Sequence, residues 1–305
     1  VFAARVARRL GPGAIGWSGT GYRRDVLAIA ALVPDTALLV PGAAGRAVLL
    51  EDVRSASVAA VRQLVLAAPD RVVVVAPGPI DRVLRGPVRA TLAPAGIDDT
   101  ELGWAVPGVA PGTGAAADVD GGVVTAALAA SVALLLLGHC GWTGQATVVE
   151  VAAPRQDPRT GTARSADGDR AKALRTLGAE LAAGPDRVAL VVAGSLSARN
   201  GPYAPYPEDV RAGPLDAGVL ADLACADREA RQRLGAIPGA LAAELVLTVW
   251  APVQVLVGAA ADVPTLEGAG WHLGAPFGVL YPVLTWRAPA AAGGGAATGS
   301  AGAVR

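Results

Sequence analysis

"VLAIAALVPDTALLVPGAAG", Val26 to Gly45, decides how the chain is read. Its first eight residues form an unbroken apolar run. A strand with one wet face alternates apolar and polar side chains, so a continuous run predicts a strand covered on both faces. Three more runs have this character: "RVVVVA" (Arg71 to Ala76), "ATVVEVA" (Ala146 to Ala152) and "RVALVVA" (Arg187 to Ala193). They alternate with stretches of helical pattern at about 47–67, 122–137, 168–183 and 215–260, the last expected to break at Pro238 and Pro252. Such alternation predicts an α/β fold: a single domain with a largely parallel central sheet flanked by helices. A final strand is expected in "FGVLYPVLTW" (Phe277 to Trp286), on or near an edge, because Pro282 cannot donate to a ladder on both sides.

The chain has 305 residues, 52% of them hydrophobic and 17% charged, enough to bury a substantial core. Its formal charge is zero, so no excess of cations is available to neutralise phosphates, and nucleic acid is not an expected partner. Lys172 is the single lysine, and methionine is absent, an imprint of GC-rich coding rather than of chemistry. Cys140 and Cys225 are too few for a disulfide framework and lack zinc-site spacing, which predicts a reducing, cytoplasmic setting. The longest apolar run, Val123 to Leu137, is shorter than the ~18 to 20 residues a membrane span needs, so a buried helix is expected there and no membrane partner.

Residues 1–25 are rich in Arg and Gly with no useful periodicity, and read as a disordered extension. Residues 288–305 are Ala/Gly low complexity and read as a disordered tail. The domain is therefore placed at 26–287. "GPGAIG", Gly11 to Gly16, matches the dinucleotide-binding fingerprint in letters, but neither the strand before it nor the helix after it that the mechanism needs is in evidence.

Nucleophilic catalysis needs a histidine base, and the chain has two histidines in different elements. His139 ends the apolar helix in "LLGHCGW", where capping of terminal carbonyls is the expected role; beside Cys140 it also forms a redox or metal pair with no further ligand nearby. His272, in "GWHLGAPFG", is read as lying in an irregular loop and is a weak catalytic candidate.

In open parallel sheets ligands bind beyond the carboxyl ends of the strands. That rule selects "PDTALLVPG" after the first strand, "PGPIDR" (Pro77 to Arg82) after the second and "GSLSARNG" (Gly194 to Gly201) after the fourth. These loops are expected to converge on one cleft with a polar lining of Asp35, Thr36, Asp81, Arg82, Ser195, Ser197, Arg199 and Asn200. Each residue alone also suits a turn or a helix cap. Together, two arginines and two aspartates suit a small polar or anionic molecule.

At these same loops the chain resembles the class III extradiol ring-cleavage dioxygenases, the superfamily of the protocatechuate 4,5-dioxygenase β subunit and the Memo-like proteins. The likeness spans about residues 26–287 and rests on "LVPDTALLVPGAAG", "DRVVVVAPGP", "GSLSARNG" and "GAPFGVLYPVLTW", four segments in the family's order. The resemblance implies an Fe(II) held by two histidines and a glutamate, open positions for catechol and dioxygen, and a third histidine as acid/base. Carried over, the first ligand falls on Asp35, the second at or beside Gly78, the acid/base on Ala198 and the carboxylate on Gly274. Three histidines are required and two are present. Asp35 with Asp81 could hold a hard cation such as Mg²⁺ or Mn²⁺, which would not reproduce the iron site.

The reading is thus a dioxygenase-like scaffold with a degenerate metal site, binding a small polar or aromatic ligand in a regulatory capacity, with Gly78 and His272 added to the ligand-pocket residues and no cofactor expected. Its alternatives are an Fe(II) dioxygenase opening catechol-type rings and a non-catalytic partner subunit of an oligomer.

Overall fold

A computed structural model describes residues 27–104, 124–154 and 163–289. The extension 1–25, with "GPGAIG", and the tail from residue 290 lie outside the described residues. In chain order the elements are β1 (Leu27–Val33), α1 (Glu51–Leu66), β2 (Arg71–Gly78), β3 (Arg82–Leu84), β4 (Val88–Arg89), β5 (Val124–Thr125), α2 (Leu128–His139) and β6 (Ala146–Ala152). There follow α3 (Ala163–Ala182), β7 (Val188–Ala193), α4 (Ala212–Cys225), α5 (Arg228–Ala236), α6 (Gly239–Glu244), α7 (Trp250–Ala259), β8 (Glu267–Gly274) and β9 (Tyr281–Arg287). Seven strands form one mixed sheet in the order β3-β6-β2-β7-β1-β9-β8. The four strands read from apolar runs, β6, β2, β7 and β1, pair in parallel at its centre.

The double burial inferred for those runs is visible residue by residue. Along β2, Val73 and Val75 pack with α3 and α7 on one face, while Val72, Val74 and Ala76 pack with α1 and α2 on the other. A helix thus meets every side chain of the run, which is why no polar alternation is needed. The apolar segment ending at Leu137 is α2, buried along nine consecutive residues from Ala129. Among the described residues no helix is long and apolar enough to cross a membrane.

Chain direction sets which face each helix covers. The path steps from β1 to β2 to β6 in one sense, with α1 and α2 on one face, and then reverses through α3 to insert β7 between β2 and β1. Preserving the favoured crossover hand through that reversal requires α3 on the opposite face, where its Leu174, Leu177 and Leu181 are found. Loops leaving the carboxyl ends of neighbouring parallel strands therefore depart to opposite faces, the arrangement that opens a crevice at that edge of the sheet.

Several expectations need correction. The stretch 215–260 is four helices rather than one broken twice. Pro238 does interrupt it, as the residue before α6, but Pro252 sits in the first turn of α7, where a missing N–H is tolerated. The other breaks fall at Ala226 and Val246, both in left-handed conformation. The last strand starts at Tyr281, not Phe277; it does lie near the edge, as expected, with only β8 pairing outside it. Pro282 is accommodated because pairing with β1 reaches only as far as Leu284.

α3 and α7 approach closely on their shared face. A Cβ at Gly178 would overlap the Val255 carbonyl, and one at Gly258 would overlap the Arg175 carbonyl. Gly168, earlier in α3, has open space around it. Gly258→Ala is expected to destabilise the fold by about 1–3 kcal/mol through overpacking. Gly168→Ala is expected to stabilise it by roughly 0.5–1 kcal/mol through backbone entropy. Urea denaturation of the two variants should move their midpoints in opposite directions.

Candidate functional site

At the carboxyl end of β1 the chain turns through Pro34 and Asp35 into a short 3₁₀ turn, Ala37–Leu39. Thr36 caps this turn, its hydroxyl accepting from the Leu38 N–H at 3.3 Å. β7 ends beside it, with the Gly194 N–H donating to the Val33 carbonyl at 2.9 Å. Gly194 is required at this place, because a Cβ would lie 2.5 Å from Val249 Cα. The next residue, Ser195, is buried and donates its hydroxyl to Asp35 Oδ1 at 2.5 Å. Its N–H donates to Thr248 Oγ1 at 2.8 Å, and its carbonyl accepts from the Val249 N–H at 3.2 Å, which fixes the hydroxyl's direction.

β9 runs antiparallel to β1, so its first residue, Tyr281, arrives at the same edge. Burial, with the charge of Asp35 behind it, pushes the Tyr281 hydroxyl above its ordinary range, and a hydrogen bond with the Thr36 side chain opposes this in part. Asp35, Thr36, Ser195, Thr248 and Tyr281 thus make one polar group at the β1/β7 crevice.

The remaining lining residues do not join it. Ser197 is buried, donating its hydroxyl to the Leu245 carbonyl at 2.9 Å, and its N–H reaches Asp216 Oδ1 at 3.1 Å. Asn200 donates to Asp216 Oδ2 at 2.9 Å, so both residues hold the loop onto α4. Burial raises the Asp216 carboxyl above its ordinary range, partly offset by the Ser197 N–H and the Asn200 amide. Arg199 donates to the Pro207 carbonyl and lies 5.7 Å above the Tyr206 ring.

Asp81 and Arg82 belong to a second network, at β2 and β6. Two strand positions, roughly 10 Å, separate β2 from β1. Asp81 accepts two hydrogen bonds from Arg170, both at 2.8 Å, and one from the Ala152 N–H. Burial acts to raise its carboxyl, but the Arg170 hydrogen bonds, the Ala152 N–H and the Arg170 charge together hold it below the ordinary range. Arg82 meets Glu150 in a two-point pair, at 2.5 and 3.1 Å. Glu150 is fully buried, and its Oε1 also accepts from the Ala127 N–H at 2.7 Å, neutralising the first turn of α2. Gly78 is needed beside it, since a Cβ there would stand 2.7 Å from Glu150 Cβ.

The single cleft expected from the loops is therefore three hydrogen-bonded groups along one edge, and the Asp35/Asp81 cation pair does not form. His272 lies in β8 and not in a loop. Its Nε2 is buried without a hydrogen-bond partner, and a Cβ at Gly274 would collide with its ring. His139 stacks on Trp104 with ring centroids 4.7 Å apart, and burial together with the charge of Arg62 lowers its pKa, which weakens the charged form that would favour the helix dipole. Burial pushes the Cys140 thiol up to about 11, which removes the His139–Cys140 pair as a redox candidate.

The test of an iron site rests on the donors present. Asp35 is engaged by Ser195, Gly78 and Gly274 offer no side-chain donor, and Ala198 is buried in the apolar core. Among the described residues no group of three or more His, Cys, Asp or Glu side chains is placed to hold a metal ion. A two-histidine, one-carboxylate set for Fe(II) does not fit these residues. No protein-family model matches the chain, and no curated protein is significantly similar to it.

Sequence reasoning missed Glu150, Arg170, Asp216, Thr248 and Tyr281. Glu150 did carry a signal: one acid inside the apolar run "ATVVEVA" must be paired if the run is buried. Glu150→Ala would leave Arg82 with only the Thr125 carbonyl as partner and the Ala127 N–H unpaired, and a loss of about 3 kcal/mol is expected in chemical denaturation. Asp216 gives a pH signature. Its folded pKa lies above the ordinary 3.8, so the folded state holds the proton longer, and this carboxyl makes stability fall as pH rises from about 4 through its folded pKa. Asp216→Asn is expected to flatten that decline in a series of melting curves taken between pH 4 and 7.

Proposed function

We propose that this chain is a class III extradiol dioxygenase-like protein whose metal site is degenerate and which binds a small polar or aromatic molecule at the carboxyl edge of its sheet, in a non-catalytic, regulatory role. The observation that carries this reading is the Asp35–Ser195 pair. A carboxylate tied to a neighbouring strand's hydroxyl stands at the position where the resemblance implies the first iron ligand. Three further features support it. The positions corresponding to the implied ligands and acid/base, Asp35, Gly78, Ala198 and Gly274, all lie at or just beyond the carboxyl ends of parallel-running strands. Exposed aromatic rings, Tyr203, Tyr206 and Phe277, belong to the loops at that edge. Phe277 also holds φ 60°, a conformation unfavourable for a bulky side chain, and is about half exposed, the kind of strain that persists at ligand contacts.

The chemistry available to such a site is recognition. The Tyr281 and Thr248 hydroxyls and the Asp35 carboxylate would orient polar substituents of a ligand, and the aromatic rings would stack on its apolar part. One observation favours a second reading, in which the same edge performs a reaction: the Nε2 of His272 is buried and has no hydrogen-bond partner.

The two readings separate on iron and oxygen. After anaerobic incubation of untagged protein with Fe(II) and desalting, elemental analysis is expected to find far less than one equivalent of iron, with no catechol-dependent oxygen uptake. Calorimetric titration of the metal-free protein with catechol and benzoate is expected to give a saturable site weakened by Ser195→Ala and Phe277→Ala. Stoichiometric iron with oxygen uptake abolished by His272→Ala would sink the binding reading in favour of the enzyme.

A further inference from the structure

On the opposite side of the sheet from α1 and α2, three helices enclose an open cavity of about 710 Å³. α3 and α7 touch backbone to backbone at Gly178 and Gly258, while α5 meets them through side chains at Gly235. Its volume lies within the range of small-molecule sites. Four cations line it: Lys172 and Arg175 from α3, and Arg228 and Arg231 from α5. No acidic side chain lines it, although Asp169, Glu180, Asp227 and Glu229 stand on the same two helices. Asp227 is committed to capping α5, its carboxylate accepting from the Ala230 N–H at 2.7 Å.

The two inner arginines are built in rather than dangling. Arg231 is 6% exposed and donates to the Ala260 and Val263 carbonyls. Arg175 reaches across to the Gly235 carbonyl at 2.9 Å and Gln254 Oε1 at 2.6 Å, joining all three helices. All these acceptors are neutral, and none of the four cations forms an ion pair among the described residues. Burial lowers the pKa of both arginines, and the charge of Arg228 lowers that of Arg231 further, with the charge of Asp227 opposing this in part. Between the cations the surface is small and apolar: Ala179, Ala236, Val257 and Ala261.

We propose that this cavity binds an amphipathic organic anion, with a carboxylate or phosphate head held by Lys172, Arg175, Arg228 and Arg231 and an aliphatic body on the alanine and valine surface. The head supplies a negative charge to a lining that holds four cations and no acid, and the body removes apolar surface from water. The site lies on the helical face, so it stands or falls separately from any ligand at the strand ends.

Isothermal titration of the full chain with decanoate and with decyl phosphate, each below its micelle concentration, distinguishes the two head groups. At least one is expected to bind with 1:1 stoichiometry, while decyltrimethylammonium does not bind. Lys172 and Arg228 are exposed, so Lys172→Gln with Arg228→Gln should leave the melting curve unchanged, and it should weaken the anion at least about tenfold, the loss of one charge-assisted hydrogen bond. Saturable binding of neither anion, equal binding of the cationic amphiphile, or an unchanged affinity in the double variant would overturn the proposal. So would inorganic phosphate binding as tightly as decyl phosphate.

Discussion

The covering of β6, β2, β7 and β1 on both faces governs where polar chemistry can stand in this protein. A strand interior that meets helices on either side has no place for an unpaired polar side chain, since burial without a partner costs several kcal/mol. Polar groups are therefore displaced to the carboxyl edge, or they are fully paired where they enter the core. Glu150 is the instructive exception. It sits inside a buried strand, and it is tolerated because Arg82 and the first turn of α2 supply opposing charge from two directions. The same carboxylate joins β3, the sheet and α2, so one ionic contact fixes how the outer strand and a helix meet the central strands.

The parts of the fold legible in the sequence are those set by short-range patterning. The apolar runs mark β1, β2, β6 and β7 to within two residues, because double burial leaves no ambiguity of phase. Helix limits between 212 and 259 were not legible. The breaks at Ala226 and Val246 use non-glycine residues with positive φ, which tertiary packing enforces and no local residue preference announces. β8 escaped for the opposite reason: "EGAGWHLG" is rich in glycine and largely exposed, so it is a strand by pairing with β9 and not by propensity.

For the candidate site, the rule that strand ends carry ligands selected one edge of the sheet but could not say which side chains face one another there. Thr36 proved to cap a local turn, as its residue type suggests, while also reaching Tyr281, and Ser197 and Asn200 hold their loop onto α4. Asp35 with Ser195 is a tertiary contact across 160 positions of sequence, and Thr248 and Tyr281 reach the same place from distant segments. No spacing encodes such a meeting. The register of β9 against β1 creates it.

Charge is distributed in a way that the zero formal total conceals. At the carboxyl edge four carboxylates have their own donors: Ser195 for Asp35, Arg170 with the Ala152 N–H for Asp81, Arg82 with the Ala127 N–H for Glu150, and the Ser197 N–H with Asn200 for Asp216. A hard cation arriving there would have to displace a hydrogen bond or an arginine before it found an oxygen, and the donors it displaced would be left unpaired, at a cost of about 1–3 kcal/mol each. On the helical face the position is reversed: the guanidinium groups of Arg175 and Arg231 donate to neutral oxygens. Electrostatics thus differs between the two faces: the carboxylates named at the strand ends are hydrogen-bonded, while four cations line the cavity between the helices.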